Sequence, residues 1–125
     1  MRKFINNNGF TLIEVLVAMV ILSVGLLGTA ALITGIINGN KVSNRISTAT
    51  TCAQDKMEKI RRVGYDDAEN ESGTEDYGNI STYLLYKRIT GVVAGNPAAG
   101  MKKITVTVYW DSDNSQVELQ TILAK

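Results

Sequence analysis

The chain has 125 residues, with 13 Lys and Arg against 12 Asp and Glu, one Cys and no His. This length suffices for one domain rather than two, and the balanced charge, without a basic cluster, argues against a nucleic-acid partner. The lack of His removes the commonest general base and metal ligand, so an enzyme is disfavoured, and the lone Cys excludes an internal disulfide.

The first predicted element is a helix over residues 10–37, which are mostly apolar and carry Glu14 as their only charge. A helix needs about 20 apolar residues to cross a bilayer core, and the apolar core of a secretory signal has only about 7–15. Arg2 and Lys3 precede the run, and the positive-inside tendency places that side in the cytoplasm, although basic residues beyond the run make the bias modest. We therefore predict one membrane span, with the C-terminal part outside the cytoplasm.

A second helical stretch is predicted over residues 41–63, after a Gly- and Asn-rich segment at 35–40 that weakens the helix or permits a bend. Gly64 stands where this helix is expected to end. Its apolar side chains recur at steps of three and four and form a stripe on one face: Val42, Ile46, Ala49, Ala53, Met57 and Ile60.

Residues 64–79 are acidic and rich in turn formers, which predicts a loop. We expect its carboxylates to be solvated, with contact to a basic neighbour as the alternative: Asp66, Asp67, Glu69, Glu71, Glu75 and Asp76.

Three strands are predicted over residues 80–124. The stretch KKITVTVYW at 102–110 alternates strictly and is the strongest strand signal; 80–93 is rich in β-branched and aromatic residues, and 116–123 alternates again. Short connections make these strands an antiparallel β-meander with one apolar face, and the stripe of the 41–63 helix is the element left to cover it. The predicted fold is α+β: a long N-terminal helix with a membrane-spanning first half, whose second half packs on a small three-stranded antiparallel sheet.

The stretch GFTLIEV at 9–15, with a basic leader before it and a long apolar helix after it, resembles the start of type IV prepilins and pseudopilins. The resemblance implies that an inner-membrane prepilin peptidase cleaves between Gly9 and Phe10 and methylates the new N-terminal Phe10. It also implies that Glu14 pairs with the Phe10 amine of a neighbouring subunit during assembly. A carboxylate buried alone is costly and a paired one much less so. The alternative for Glu14 is a tolerated acid at the membrane interface.

Small residues recur at spacings of three and four along the apolar helix, and the last two form a GxxxG match: Gly25, Gly28, Ala31, Gly35 and Gly39. They indicate either close helix packing between filament subunits or ordinary membrane-helix composition. With the resemblance, the chain divides into a cleaved leader at 1–9, a transmembrane and assembly helix at 10–40, and an exported pilin-like domain at 41–125. That domain comprises the helix at 41–63, the loop at 64–79 and the β-meander at 80–124.

The first 65 and last 25 residues are similar to minor pilins of the V class and to the I-type pseudopilin of type II secretion. Major pilins commonly have a Pro in the membrane helix and a disulfide in the C-terminal loop. This chain has no Pro in the span and cannot form an internal disulfide, which favours a minor or priming component. The resemblance implies a structural, non-enzymatic subunit without cofactors. Its implied partners are the prepilin peptidase and other pilin subunits, and it would lie in the inner membrane and then in a pilus or pseudopilus. An uncleaved single-span membrane protein with a small extracytoplasmic binding domain is the alternative.

Asp111 and Asp113 are weak candidates for a calcium site near the C-terminal hairpin, since some pseudopilins have one. The pattern lacks the Gly and the distal Glu of an EF-hand loop, so a solvated turn is the expected alternative and no metal is predicted.

Overall fold

The computed structural model describes residues 9–125, so most of the predicted leader, including Arg2 and Lys3, lies outside the described residues. The chain forms two compact units, Met1–Lys41 and Val42–Lys125. Helix α1 spans Leu12–Asp67 and contributes to both units. Its backbone is non-helical at Gly64, where φ is 88° and ψ is −178°. This region of φ/ψ space is essentially restricted to glycine, which explains the residue found there.

The described part of the first unit consists of the N-terminal portion of α1 and the residues just before it. Every side chain from Leu12 to Lys41 is exposed. By length and composition, α1 is the one helix within residues 9–125 that qualifies as a candidate membrane span. An apolar surface of this extent requires cover from lipid or from other protein.

The second unit holds a four-stranded antiparallel sheet in the order β1-β2-β3-β4. Its strands are β1 (Gly73–Glu75), β2 (Lys87–Ala94), β3 (Met101–Trp110) and β4 (Ser115–Ala124). In the sheet, β2 pairs Thr90 with Val106 of β3, and β3 pairs Val106 with Leu119 of β4.

Two of the predictions for this unit were wrong. The sheet has four strands and not three, because β1 lies inside the predicted 64–79 loop, directly after a 3-10 helix at Ala68–Glu71. The predicted meander also starts too early, since residues 80–86 form turns and β2 begins at Lys87. The sequence Gly-Thr-Glu of β1 is too short for an alternating pattern, and its strand conformation comes from pairing with β2.

The core lies between α1 and one face of the sheet, as predicted. Alternate side chains of β3 (Ile104, Val106, Val108 and Trp110) are buried against a helix face formed by Ala49, Cys52, Ala53, Met57 and Ile60. The first two residues of the predicted stripe were misplaced: Val42 and Ile46 are 56% and 43% exposed. Trp110 is the last residue of β3 and lines the same cavity as Arg45. The strand therefore ends before it could cover Val42 and Ile46.

Candidate functional site

The predicted cleavage residues lie immediately before α1. Gly9 and Phe10 have no regular secondary structure, and Phe10 is 84% exposed. Thr11 caps the helix: its Oγ1 accepts the Glu14 N–H at 3.3 Å, and its carbonyl accepts the Val15 N–H at 3.2 Å. The peptide bond after Gly9 is therefore exposed and outside the helix, as access by a peptidase requires.

Sequence reasoning missed the role of Thr11. The signal was present, because Thr-x-x-Glu at 11–14 is the pattern of a capping box that starts a helix.

Glu14 lies in the first turn of α1, where the positive end of the helix dipole favours a carboxylate. It forms no ion pair within residues 9–125. Phe10, Glu14, Ala18 and Leu22 recur four residues apart and line one shallow groove along the helix. The pairing of Glu14 with another subunit's Phe10 amine stays a prediction.

The small residues of the apolar helix lie in open surroundings. Among residues 9–125, a Cβ atom added at Gly25, Gly28, Gly35 or Gly39 would meet no heavy atom within 4 Å beyond its own stretch of helix, and Ala31 is exposed like these glycines. The single chain thus places no packing demand on these positions, and their role in helix packing between subunits also stays a prediction.

The acidic stretch is not a solvated loop throughout, which corrects the sequence interpretation. Three of its carboxylates bind three cations that are at least 92% buried: Glu75 binds Arg88, Glu71 binds Lys56, and Glu69 binds Lys102. We call these six residues the acidic clamp. Since an unpaired buried cation is strongly unfavourable, the clamp fixes the 68–75 segment onto the helix and the sheet.

The strongest pair of the clamp joins Glu75 and Arg88. The Arg88 Nε and Nη2 atoms donate to the two carboxylate oxygens at 2.7 and 2.8 Å, and Nη1 donates to the Cys52 carbonyl at 2.9 Å. The hydrogen bond from Arg88 holds the pKa of Glu75 below its usual value. Burial raises the pKa of the Cys52 thiol, so this group stays protonated and is a poor nucleophile.

Glu71 accepts hydrogen bonds from two cations of α1. Lys56 Nζ lies 2.8 Å away and Lys59 Nζ 3.0 Å away. The hydrogen bond from Lys56 is the largest cause that lowers the pKa of Glu71, and the hydrogen bond from Lys59 is the next largest. Nearby, the Tyr83 hydroxyl donates to Asp55 at 2.6 Å, which raises the pKa of Tyr83 to about 12.

The weak calcium candidates lie at the tip of the β3–β4 hairpin, where Asp111, Ser112 and Asp113 have φ values of 58°, 55° and 68°. Positive φ values suit hairpin turns because they match the twist of the flanking strands. The Asp113 carboxylate is ion-paired with Lys87 and accepts the Tyr77 hydroxyl at 2.9 Å. No cluster of three His, Cys, Asp or Glu residues suited to a metal ion occurs in the part of the chain that the structure describes.

Comparison with known proteins identifies one family model, described as the prokaryotic N-terminal methylation motif, which matches residues 5–30. No curated protein and no solved structure matches the chain. The motif marks type IV prepilin-like proteins, so the resemblance seen at 9–15 is confirmed. It implies processing by a prepilin peptidase and assembly with pilin-type subunits in general, and the apolar helix fits membrane insertion.

Proposed function

We propose that this prepilin-like chain is a minor pilin, a structural subunit that is cleaved after Gly9 and then incorporated into a type IV pilus or its priming complex. The observation that carries the proposal is the methylation motif at 5–30, together with an apolar helix in which no side chain is buried from Leu12 to Lys41. A filament of parallel helices would give that surface the protein cover it lacks in one chain.

The start of α1 supports a specific assembly contact. Cleavage would create a cationic amine at Phe10, which lines the same groove as Glu14. When apolar helices associate, a carboxylate without a partner is strongly unfavourable, and an amine from a neighbouring helix relieves much of that cost. The ion pair therefore favours one axial stagger between subunits over others.

The second unit supports a structural role. Its apolar side chains are packed in one core, and the acidic clamp joins the 68–75 segment to both α1 and the sheet. Such a unit presents a stable outer surface on a filament whose axis is formed by the helices.

The proposal is tested by intact mass and N-terminal sequencing of the full chain, expressed in membranes with and without a prepilin peptidase. We expect the peptidase to remove residues 1–9 and to add one methyl group at Phe10. Gly9→Val should block cleavage, whereas the matched variant Gly28→Val, inside the helix, should not. An unchanged Met1 start in both samples would refute the proposal and favour an uncleaved membrane protein with an outer binding domain.

A second experiment separates a minor pilin from a type II secretion pseudopilin, which the same motif also fits. Filaments sheared from cells that have both systems are analysed by mass spectrometry, and secretion is measured after deletion of the gene. We expect the chain in sheared pili at low abundance and secretion unchanged. Its absence from pili, together with lost secretion, would assign it to the pseudopilus.

A further inference from the structure

An exposed apolar surface lies on the second unit, outside its core. Leu84 and Leu85, adjacent on a turn, are 56% and 79% exposed, and Tyr77 is 39% exposed. With Arg45 they border an open cavity of about 340 Å³, whose other lining residues are Tyr86, Trp110, Asp111 and Ser112. We call Arg45, Tyr77, Leu84 and Leu85 the entry patch.

The entry patch lies at the end of the second unit where the chain enters it. Arg45 is in the first turn of the helix within that unit, and its carbonyl accepts the Tyr86 hydroxyl at 3.4 Å. At the other end of the same helical stretch, the carbonyl of Tyr65 accepts the Lys102 ammonium at 2.6 Å. The patch and the start of β3 are therefore at opposite ends of the unit.

The chain between the apolar run and the patch is short. Seven residues separate Ile37 from Arg45. Even a fully extended chain covers no more than about 29 Å in those steps. If residues 10–37 span a bilayer, the entry patch is held close to the headgroups and meets them at a high effective concentration.

The chemistry of the patch suits that location. Leucine side chains partition into the acyl region, and Tyr side chains prefer the level of the headgroups. The charge of Arg45 is balanced by Asp111, which lines the same cavity, so apolar contact rather than net charge would carry the binding. We infer that Leu84 and Leu85 insert into the headgroup–acyl boundary of the membrane while the subunit awaits assembly. This inference rests on the proposed function, in which residues 10–37 cross the membrane.

The inference is tested with the full chain in lipid nanodiscs. In a Cys52→Ala background, an environment-sensitive fluorophore is attached at Leu85→Cys or at the control Ile122→Cys. Ile122 is also apolar and 53% exposed, but lies on β4. We expect lipids brominated near the headgroup to quench the label at position 85 several-fold more than the label at 122. Equal quenching would overturn the inference.

A second copy of the chain is the competing occupant of the patch. The label at position 85 is also tested for protection from a water-soluble quencher. Protection that occurs only in discs holding several copies of the chain would overturn the lipid contact. Protection with one copy per disc supports it. Fluorescence of the core residue Trp110 verifies that each labelled variant is folded.

Adding prepilin peptidase to the same discs separates this inference from the proposed function. Cleavage after Gly9 without preferential quenching at 85 would overturn the membrane contact alone. Preferential quenching without cleavage would support the contact and overturn the proposed function.

Discussion

Removing one charge from the acidic clamp should destabilise the second unit far more than removing one from an exposed ion pair. The variant is Glu75→Gln, which keeps the size of the side chain but replaces one of the two oxygens that accept from Arg88 with an amide NH2 group. Arg88 is 8% exposed, and its hydrogen bonds other than those to Glu75 go to the Cys52 carbonyl and Sγ, which are uncharged. The variant thus leaves a buried cation without its counter-charge.

The size of the effect follows from burial. Breaking a fully buried ion pair costs about 3–5 kcal/mol, but the Glu75 side chain is 36% exposed and partly screened by solvent. We therefore expect the free energy of unfolding to fall by about 2 kcal/mol. The control is Glu58→Gln, since the side chains of the Glu58–Arg62 pair are 72% and 74% exposed. Such pairs contribute about 0.5 kcal/mol or less.

The assay is urea unfolding of the full chain in detergent, followed by fluorescence of Trp110, the only Trp of the chain. Trp110 is 7% exposed and belongs to the core of the second unit, so its signal reports on that unit. With a urea dependence of about 1 kcal/mol/M, the midpoint should fall by about 2 M for Glu75→Gln and by less than about 0.5 M for Glu58→Gln.

A double mutant identifies the cause of the loss. Arg88→Met removes the buried cation, so the double mutant with Glu75→Gln should lose less stability than the sum of the two single variants. Equal midpoints for Glu75→Gln and Glu58→Gln, or strict additivity in the double mutant, would refute the reasoning.

Three further outcomes are expected. The pKa values of Glu71 and Glu75 are lowered from 4.5 in the folded chain, so the stability that these two carboxylates contribute is complete above pH 4.5 and is lost as the pH falls through their folded-state pKa values. The urea midpoint should drop over that pH range, and it should drop less in Glu75→Gln. Thr90→Val should raise the free energy of unfolding by about 1 kcal/mol, because the buried Thr90 Oγ1 has no hydrogen-bond partner in the part of the chain that the structure describes. Thr105→Val, on the opposite face of the sheet, should change the free energy of unfolding little, and a loss of stability in Thr90→Val would argue for a partner. Gly28→Ala should leave prepilin insertion and cleavage intact, since no described residue contacts the added Cβ within 4 Å, but it should lower the yield of filaments containing the subunit. Unchanged incorporation would exclude Gly28 from the packing face.

Local sequence patterns predicted the elements whose neighbours are close in the chain. The strict alternation at 102–110 predicted β3, observed at Met101–Trp110. The apolar run and GFTLIEV at 9–15 predicted a helix of prepilin type. These patterns can be recognised in the sequence because a strand with one buried face, a membrane helix and a peptidase motif each require particular residue types at consecutive positions.

Contacts between distant residues decided the rest. Strand β1 forms because Thr74 pairs with Ile89, and no three-residue pattern could indicate that. The exposure of Leu84 and Leu85 depends on which segments pack beside them, so composition alone gave no signal for the entry patch.

The prepilin-type start, the apolar helix and the helix-on-sheet fold were therefore predictable, because each is encoded by adjacent or regularly spaced residues. The structural role of Glu71 and Glu75, by contrast, arises only in the folded chain. Their partners, Lys56 and Arg88, lie 15 and 13 residues away and become buried cations only when the helix packs on the sheet. Burial converts charges that would be solvated in a loop into charges that must be paired.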